Sequence, residues 1–263
     1  MIKVRNLGRL GNNFFQFAFG YAASRELGTD FFMDDMGWFH LFKNRCYWQL
    51  KNKLLLQLYN SRPRPEFNWT DNTVPPSIRL SQLQNGVSYR GYFQSETYFL
   101  KYEKEIRKIF QFRQPFIKRF DQEFTELRSQ ERILTINVRG SEYLQFPFSL
   151  PASYYEKAYA TILESDFKPG LVLVITDDIL FAQKILDFIP NKMFIPNRSP
   201  EKDFRWLTLS DALIIPNSSF TWWGAWLNER SKITVAPRHW IGWPQKTEDP
   251  VGITVPQWKW IDW

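Results

Sequence analysis

The sequence predicts an α/β protein built on parallel sheets, and three observations lead there. The first 35 residues read as strand, tight turn, helix and strand. After residue 130, short β-branched runs alternate with helical segments, the pattern of a mostly parallel sheet. The polar turns recur at the carboxyl ends of the predicted strands, where sheets of this kind bind ligands.

Residues 2–7 form the first strand, 8–11 the turn, 12–27 the helix and 31–33 the second strand. Phe14, Phe15, Phe17, Ala18, Phe19, Ala22, Ala23 and Leu27 leave that helix apolar on nearly every side, as for one buried between a sheet and other elements. Gly28 is its stop signal. Residues 40–60 read as an amphipathic helix, and Pro63, Pro65, Pro75 and Pro76 punctuate an irregular stretch after it. A strand is expected at 87–93 and a helix at 96–112, ending before Pro115. The second half yields strands at 133–139, 171–176, 193–195, 212–215 and 233–236, with helices at 153–164, 179–188, 204–209 and 219–228. A domain boundary is placed near residue 130, giving lobes 1–130 and 131–263; no repeat or low-complexity segment is present.

At 263 residues the chain can bury a sizeable core, and 44% apolar with 23% charged residues excludes a mainly disordered chain. Nine of the twelve tryptophans lie between Trp206 and Trp263, so the last third is built around large rings, most expected in the core and some at a sugar site. The net charge of +7 suits an anionic partner but does not choose among nucleic acid, membrane and nucleotide diphosphate. Its densest basic stretch, residues 43–53, is interleaved with apolar residues and reads first as a solvated helix face. With Cys46 the only cysteine and His40 and His239 the only histidines, an intrachain disulfide, a thiolate zinc site and a histidine triad are not expected. The start Met1-Ile2-Lys3-Val4-Arg5 has no signal-peptide stretch and no run approaches membrane-spanning length, so a cytoplasmic protein without an integral membrane segment is expected.

Four segments can carry chemistry. The turn Gly8-Arg9-Leu10-Gly11-Asn12 offers backbone N–H groups to an anion or a sugar, though with two glycines it is not the dinucleotide fingerprint and, read alone, serves structure first. Asn137 to Tyr143 ends a buried strand with Arg139, whose planar fork matches phosphate oxygens; a surface pair between Arg139 and Glu142 fits the same spacing. Thr176-Asp177-Asp178 can hold a divalent metal or a nucleotide base or ribose, with Asp178 expected to cap the next helix and Asp177 left freer for a ligand. Pro216-Asn217-Ser218-Ser219-Phe220 opens a helix whose N-terminal N–H groups suit a pyrophosphate, a role compatible with capping by Ser218 or Ser219.

Taken together these segments resemble glycosyltransferase family 11, whose characterised members include α-1,2-fucosyltransferases. Residues 8–20 read GRLGNNFFQFAFG, close to the family's opening run; GYFQSETYF at 91–99 and LSDALIIPNSSFTWWGAWLN at 209–228 are the second and third matches. The likeness covers most of the chain. The family's His-X-Arg-Arg-X-Asp-Tyr motif stands here as Asn137-Val138-Arg139-Gly140-Ser141-Glu142-Tyr143, which keeps the first arginine and replaces the histidine, the second arginine and the aspartate.

The resemblance implies a GT-B-like architecture of two Rossmann-like lobes around a cleft, residues 1–130 on the acceptor side and 131–263 holding the nucleotide. It implies an inverting, metal-independent transfer of fucose from GDP-fucose to a glycan hydroxyl, the 2-hydroxyl of a galactoside, with no cofactor. In this reading Arg139 and the N-terminus of the helix at Ser219 neutralise the departing GDP. Glu142 is the candidate general base, Asn12 orients acceptor or donor, and Asp177 contacts guanosine. Gly11, Asn137, Asn217, Ser218 and Phe220 complete the expected donor contacts. A same-fold transferase using another nucleotide sugar, favoured by the altered arginine motif, and a non-catalytic glycan-binding module, suggested by the C-terminal tryptophans, are the alternatives. Nucleic acid is not an expected partner, because the basic charge is diffuse and none of the known binding signatures is present.

Overall fold

The computed structural model describes residues 1–263 except 131, 147 and 197. The chain divides into two compact units, Met1–Arg119 with Pro250–Ile253, and Phe120–Asp249 with Thr254–Trp263. The boundary expected at residue 130 therefore lies inside the second unit: Phe120 and Phe124 pack against Trp206 of that unit, with ring centroids 5.2 and 5.5 Å apart.

In order, the first unit contains β1 (Ile2–Val4), α1 (Leu10–Glu26), β2 (Phe31–Met33), α2 (Arg45–Tyr59), β3 (Glu66–Trp69), α3 (Pro76–Leu80), β4 (Ser88–Gly91) and α4 (Glu103–Ile109). Its sheet runs β2-β1-β4-β3 with every neighbouring pair parallel. The all-round apolar character of α1 has the expected consequence: Phe14, Phe15, Phe17 and Phe19 are fully buried. Rings stack in a continuous core, as where Phe19 lies on Phe93 at 3.9 Å and Phe14 meets Trp38, Phe42 and Phe110 at 5.1–5.4 Å. The helix closes at Gly28, where the Gly28 and Thr29 N–H groups donate to the carbonyls of Arg25 and Ser24.

Two elements arise in the stretch expected to be irregular. β3 pairs with β4, and Phe67 and Trp69 seat on Tyr89 at 5.6 and 4.9 Å; this is a cross-strand preference that local sequence does not display. α3 begins with Pro76 in its first turn, where the missing N–H costs nothing. The helix expected at 96–112 is instead two 3₁₀ turns, Glu96–Tyr98 and Leu100–Tyr102, followed by α4.

α5 (Gln114–Glu123), which crosses the division, and α6 (Thr125–Arg128) were not foreseen. The second unit then alternates as expected: β5 (Ile133–Val138), α7 (Ala152–Glu164), β6 (Leu171–Thr176), α8 (Ile179–Ile185), β7 (Lys192–Phe194), α9 (Pro200–Leu207), β8 (Ala212–Ile214), α10 (Ser219–Leu227) and β9 (Ile233–Pro237). A last strand, β10 (Lys259–Ile261), joins β9 and escapes prediction because its three residues lie in a tryptophan-rich tail.

This parallel sheet has the order β10-β9-β8-β5-β6-β7. From β5 the chain moves outward through β6 to β7, then returns to β8 on the other side of β5 and continues to β9 and β10. The strand order reverses between β5 and β8, and the crevice beyond the carboxyl ends of two such strands is the usual ligand position of an open α/β sheet. Along β5 the pleat sorts side chains: Leu134, Ile136 and Val138 join Tyr154, Tyr155, Ala158 and Ile162 of α7 in one core, while Thr135 and Asn137 face the other way. Trp206, Trp222, Trp223, Trp226 and Trp240 are buried, and Trp243, Trp258, Trp260 and Trp263 pack on other rings of this unit, so the tryptophan cluster serves the core.

Candidate active site

At the carboxyl end of β5 the side chain of Arg139 is partly buried and held on three sides. Its Nη1 meets Asp177 Oδ2 at 2.9 Å, its Nη2 meets Glu142 Oε1 at 3.4 Å, and its guanidinium lies over the Tyr143 ring at 4.9 Å. Nε is buried with no hydrogen-bond partner among the described residues. The Arg139–Glu142 pair that spacing allowed is formed, and a second carboxylate joins it. Burial raises the Tyr143 phenol above its ordinary pKa, with Arg139 opposing, so that hydroxyl stays protonated at neutral pH. It donates to the carbonyl of Asn217 at 3.3 Å, bridging the turn after β5 to the turn after β8.

Asp177 has both oxygens in use, Oδ2 on Arg139 and Oδ1 accepting the Gly140 N–H at 2.8 Å. The expectation that Asp177 is the freer aspartate is corrected: its carboxylate is committed to the Arg139 turn. Asp178 does cap α8, accepting from the Phe181 N–H at 3.0 Å. Gly140 stands where the family motif has its second arginine, and a Cβ there would lie 2.6 Å from Asp178 Cβ. This contact excludes any side chain unless the backbone moves.

Asn137, expected at the donor, is buried and fully engaged. Its Nδ2 donates to Ile175 O at 2.9 Å and its Oδ1 accepts from Thr221 Oγ1 at 2.8 Å. It thereby ties β5 to β6 and to the first turn of α10, a supporting role in place of a direct contact. Asn217 is 2% exposed; its Nδ2 donates to Phe148 O at 2.9 Å, and its Oδ1 is buried with no partner among the described residues. Ser218 occupies the N-cap position of α10, yet its hydroxyl accepts nothing from the first turn. The N–H groups at that end are left without a side-chain cap, and Ser219 begins the helix. Phe220 packs on Phe204 at 5.2 Å, which makes it a helix anchor.

In the first unit α1 starts at Leu10, two residues earlier than expected, so Gly11 is a buried member of its first turn. Gly8 takes φ +69°, and a Cβ added there would fall 2.1 Å from Asn12 Nδ2, so only glycine fits the turn. Asn12 Oδ1 accepts from Gln94 Nε2 at 2.7 Å. Gln16 accepts the Leu7 N–H at 3.2 Å and donates to the carbonyls of Leu7 and Gly91, both at 3.1 Å. Sequence segments 8–20 and 91–99 are thus brought together by two glutamines.

Arg139, Glu142, Asp177, Asn217 and Ser218 gather at the ends of the adjacent strands β5, β6 and β8, while Gly11 and Asn12 belong to the other unit. Sequence reasoning missed Tyr143, Thr221, Gln16 and Gln94. Gln16, Gln94 and Thr221 lie inside the matched segments and Tyr143 closes the altered motif at 137–143, and that was the one signal that could have found them. Among the described residues no three His, Cys, Asp or Glu side chains form a metal-binding group, and no helix is long and apolar enough to cross a membrane.

The model of the glycosyl transferase family 11 matches residues 72–262. Among curated proteins the chain is 26% identical to an α-1,2-colitosyltransferase of Escherichia coli over 92% of each chain. It is 24% identical to the O-antigen biosynthesis glycosyltransferase WbnK of Escherichia coli, over 92% of this chain and 95% of that one. Among solved structures the fucosyltransferase NodZ from Bradyrhizobium shares the fold at a TM-score of 0.57 and 16% identity, over 89% of this chain and 94% of that one. A NodZ α-1,6-fucosyltransferase co-crystallised with GDP gives 0.56 at 15% identity, over 89% and 93%. The expected GT-B-like α/β fold is borne out, and the chain belongs to glycosyl transferase family 11.

Proposed function

We propose that this protein is a cytoplasmic, inverting fucosyltransferase that moves fucose from GDP-fucose to the 2-hydroxyl of a galactoside in a glycan. The observation that carries this reading is that Arg139, after β5, and the uncapped N-terminus of α10, after β8, follow two adjacent strands at the strand-order reversal, with the Tyr143 hydroxyl bridging to the Asn217 carbonyl. A guanidinium and oriented N–H groups together suit the negative charge that grows on a diphosphate as its bond to the sugar breaks. The acceptor oxygen bonds to the anomeric carbon from the face opposite the leaving phosphate. Glu142, half-exposed on the same turn with its Oε1 3.4 Å from Arg139 Nη2, takes the proton from that oxygen. GDP leaves paired with Arg139, which replaces a divalent cation. The unmet Asn217 Oδ1 accepts a hydrogen bond from a donor hydroxyl or N–H. The second unit holds the nucleotide, and the amide-lined turn of the first unit, with Asn12, orients the glycan.

The GDP-bound NodZ structure supports the nucleotide, and the α-1,2-colitosyltransferase relative supports the linkage. That same relative favours a second reading in which colitose, a deoxy relative of fucose, is the sugar transferred. Incubation with GDP-fucose and with GDP-colitose, with and without EDTA, across a panel of galactosides tests both. The expected result is transfer from GDP-fucose with one GDP released per bond, unchanged by EDTA. Transfer from GDP-colitose alone selects the second reading, and GDP-independent sugar binding without turnover rejects both.

A further inference from the structure

The outer face of α2 takes no part in the site or in the core. Its inner side rests on the edge strand β2, where Trp48 meets Phe17 and Phe31 at 5.1 and 6.1 Å and the Asn52 amide brackets the backbone of Met33. On the opposite side Tyr47, Leu50, Leu54 and Leu58 stand 60, 59, 49 and 61% exposed. They recur at helical spacing, so they form one continuous apolar row along the helix. Single exposed leucines are ordinary, whereas a contiguous row marks an interaction surface.

The charge around this row identifies the occupant. Residues 36–65 contain six Lys and Arg and no Asp or Glu, so this stretch holds six of the chain's seven net positive charges. Among the described residues only Lys51 of the six has a carboxylate partner, Asp30 at 2.6 Å. Lys43, Arg45, Lys53 and Arg62 have no carboxylate partner among the described residues, whereas Arg64 donates to the carbonyls of Tyr59 and Arg62 and lies over the Phe32 ring. Leucines in a row with cations beside them are the composition of a helix lying in a membrane interface, its apolar side sunk about 5–10 Å among anionic headgroups. At 15 residues α2 is about 22 Å long, too short to cross a hydrocarbon core of about 30 Å. A second copy of this chain would set like charge against like charge, and a nucleic acid would leave the leucines in water.

We propose that α2 docks this protein flat onto an anionic bilayer surface, with Tyr47, Leu50, Leu54 and Leu58 entering the acyl boundary and the unpaired cations meeting headgroup phosphates. The full chain is floated with vesicles of phosphatidylcholine alone and of phosphatidylcholine mixed with phosphatidylglycerol. Binding is expected only to the mixed vesicles and falls as salt rises. The L50S/L54S/L58S variant, changed only at exposed positions, loses vesicle affinity by at least about 10-fold. Lys43→Gln with Lys53→Gln loses roughly 30-fold, since each cation near such a surface contributes about fivefold. Both variants keep the thermal unfolding midpoint and the transfer rate on a water-soluble acceptor. The proposal is overturned if the wild-type chain ignores anionic vesicles at low salt, or if the leucine variant binds them as well as wild type. A dimer or oligonucleotide complex that disappears with the leucine changes, in a chain that does not float with vesicles, assigns the face to that partner instead.

Discussion

The two units fix their strand-end turns with different chemistry. After β1 the turn is pinned by neutral amides, with Asn13 and Gln16 both binding Leu7 O and Gln94 reaching Asn12. After β5 it is pinned by charge, with Asp177 bridging Arg139 and the Gly140 N–H. Neutral amides offer matched donors and acceptors, which suits a ligand made of hydroxyls. A guanidinium held by carboxylates keeps a field that a phosphate can take over by displacing one of them. The contrast supports the proposal that one unit takes the acceptor and the other the nucleotide.

The largest expected effect lies on the charged turn. Arg139→Ala lowers the turnover number with GDP-fucose by about 10²–10³, because a preorganised donor to the leaving group is lost; single-turnover kinetics measures it. A decrease below about tenfold places leaving-group stabilisation elsewhere in the unit. On the amide turn, Gly8→Ala puts a Cβ onto Asn12 at a left-handed backbone position and destabilises the fold by about 1–3 kcal/mol. Denaturant unfolding reads this, and an unchanged midpoint would show that the turn relaxes freely. The smallest effect separates two roles for Asp177. Asp177→Asn lowers turnover about tenfold, with little further loss when combined with Arg139→Ala, because contacting residues couple rather than add. If Asp177 instead contacts guanosine, the loss falls on the donor KM and persists in the Arg139→Ala background.

Much of the site could be read along the chain because its parts are local. Arg139 and Glu142 lie three residues apart on one turn, and Ser218 precedes an apolar helix. The partnership of Arg139 with Asp177 could not be read, since it depends on register: Val138 pairs with Thr176, so the residues that follow emerge side by side. Asn137 looked like a ligand-binding residue at a strand end, but the pleat turns it inward to Ile175 and Thr221. Gly140 read as a lost arginine, and only its distance from Asp178 shows why a side chain is excluded.

By itself the sequence determined the α/β class, the strand–turn–helix openings and the family, since periodicity, glycine positions and motif order are written in local residue choice. The tertiary structure alone decided which side chains are committed to one another, and which face of α2 is covered. Amphipathic spacing marks two sides of a helix but not which neighbour claims one of them. That choice is made by β2 and the ring cluster around Phe17, brought together by contacts far apart in the chain.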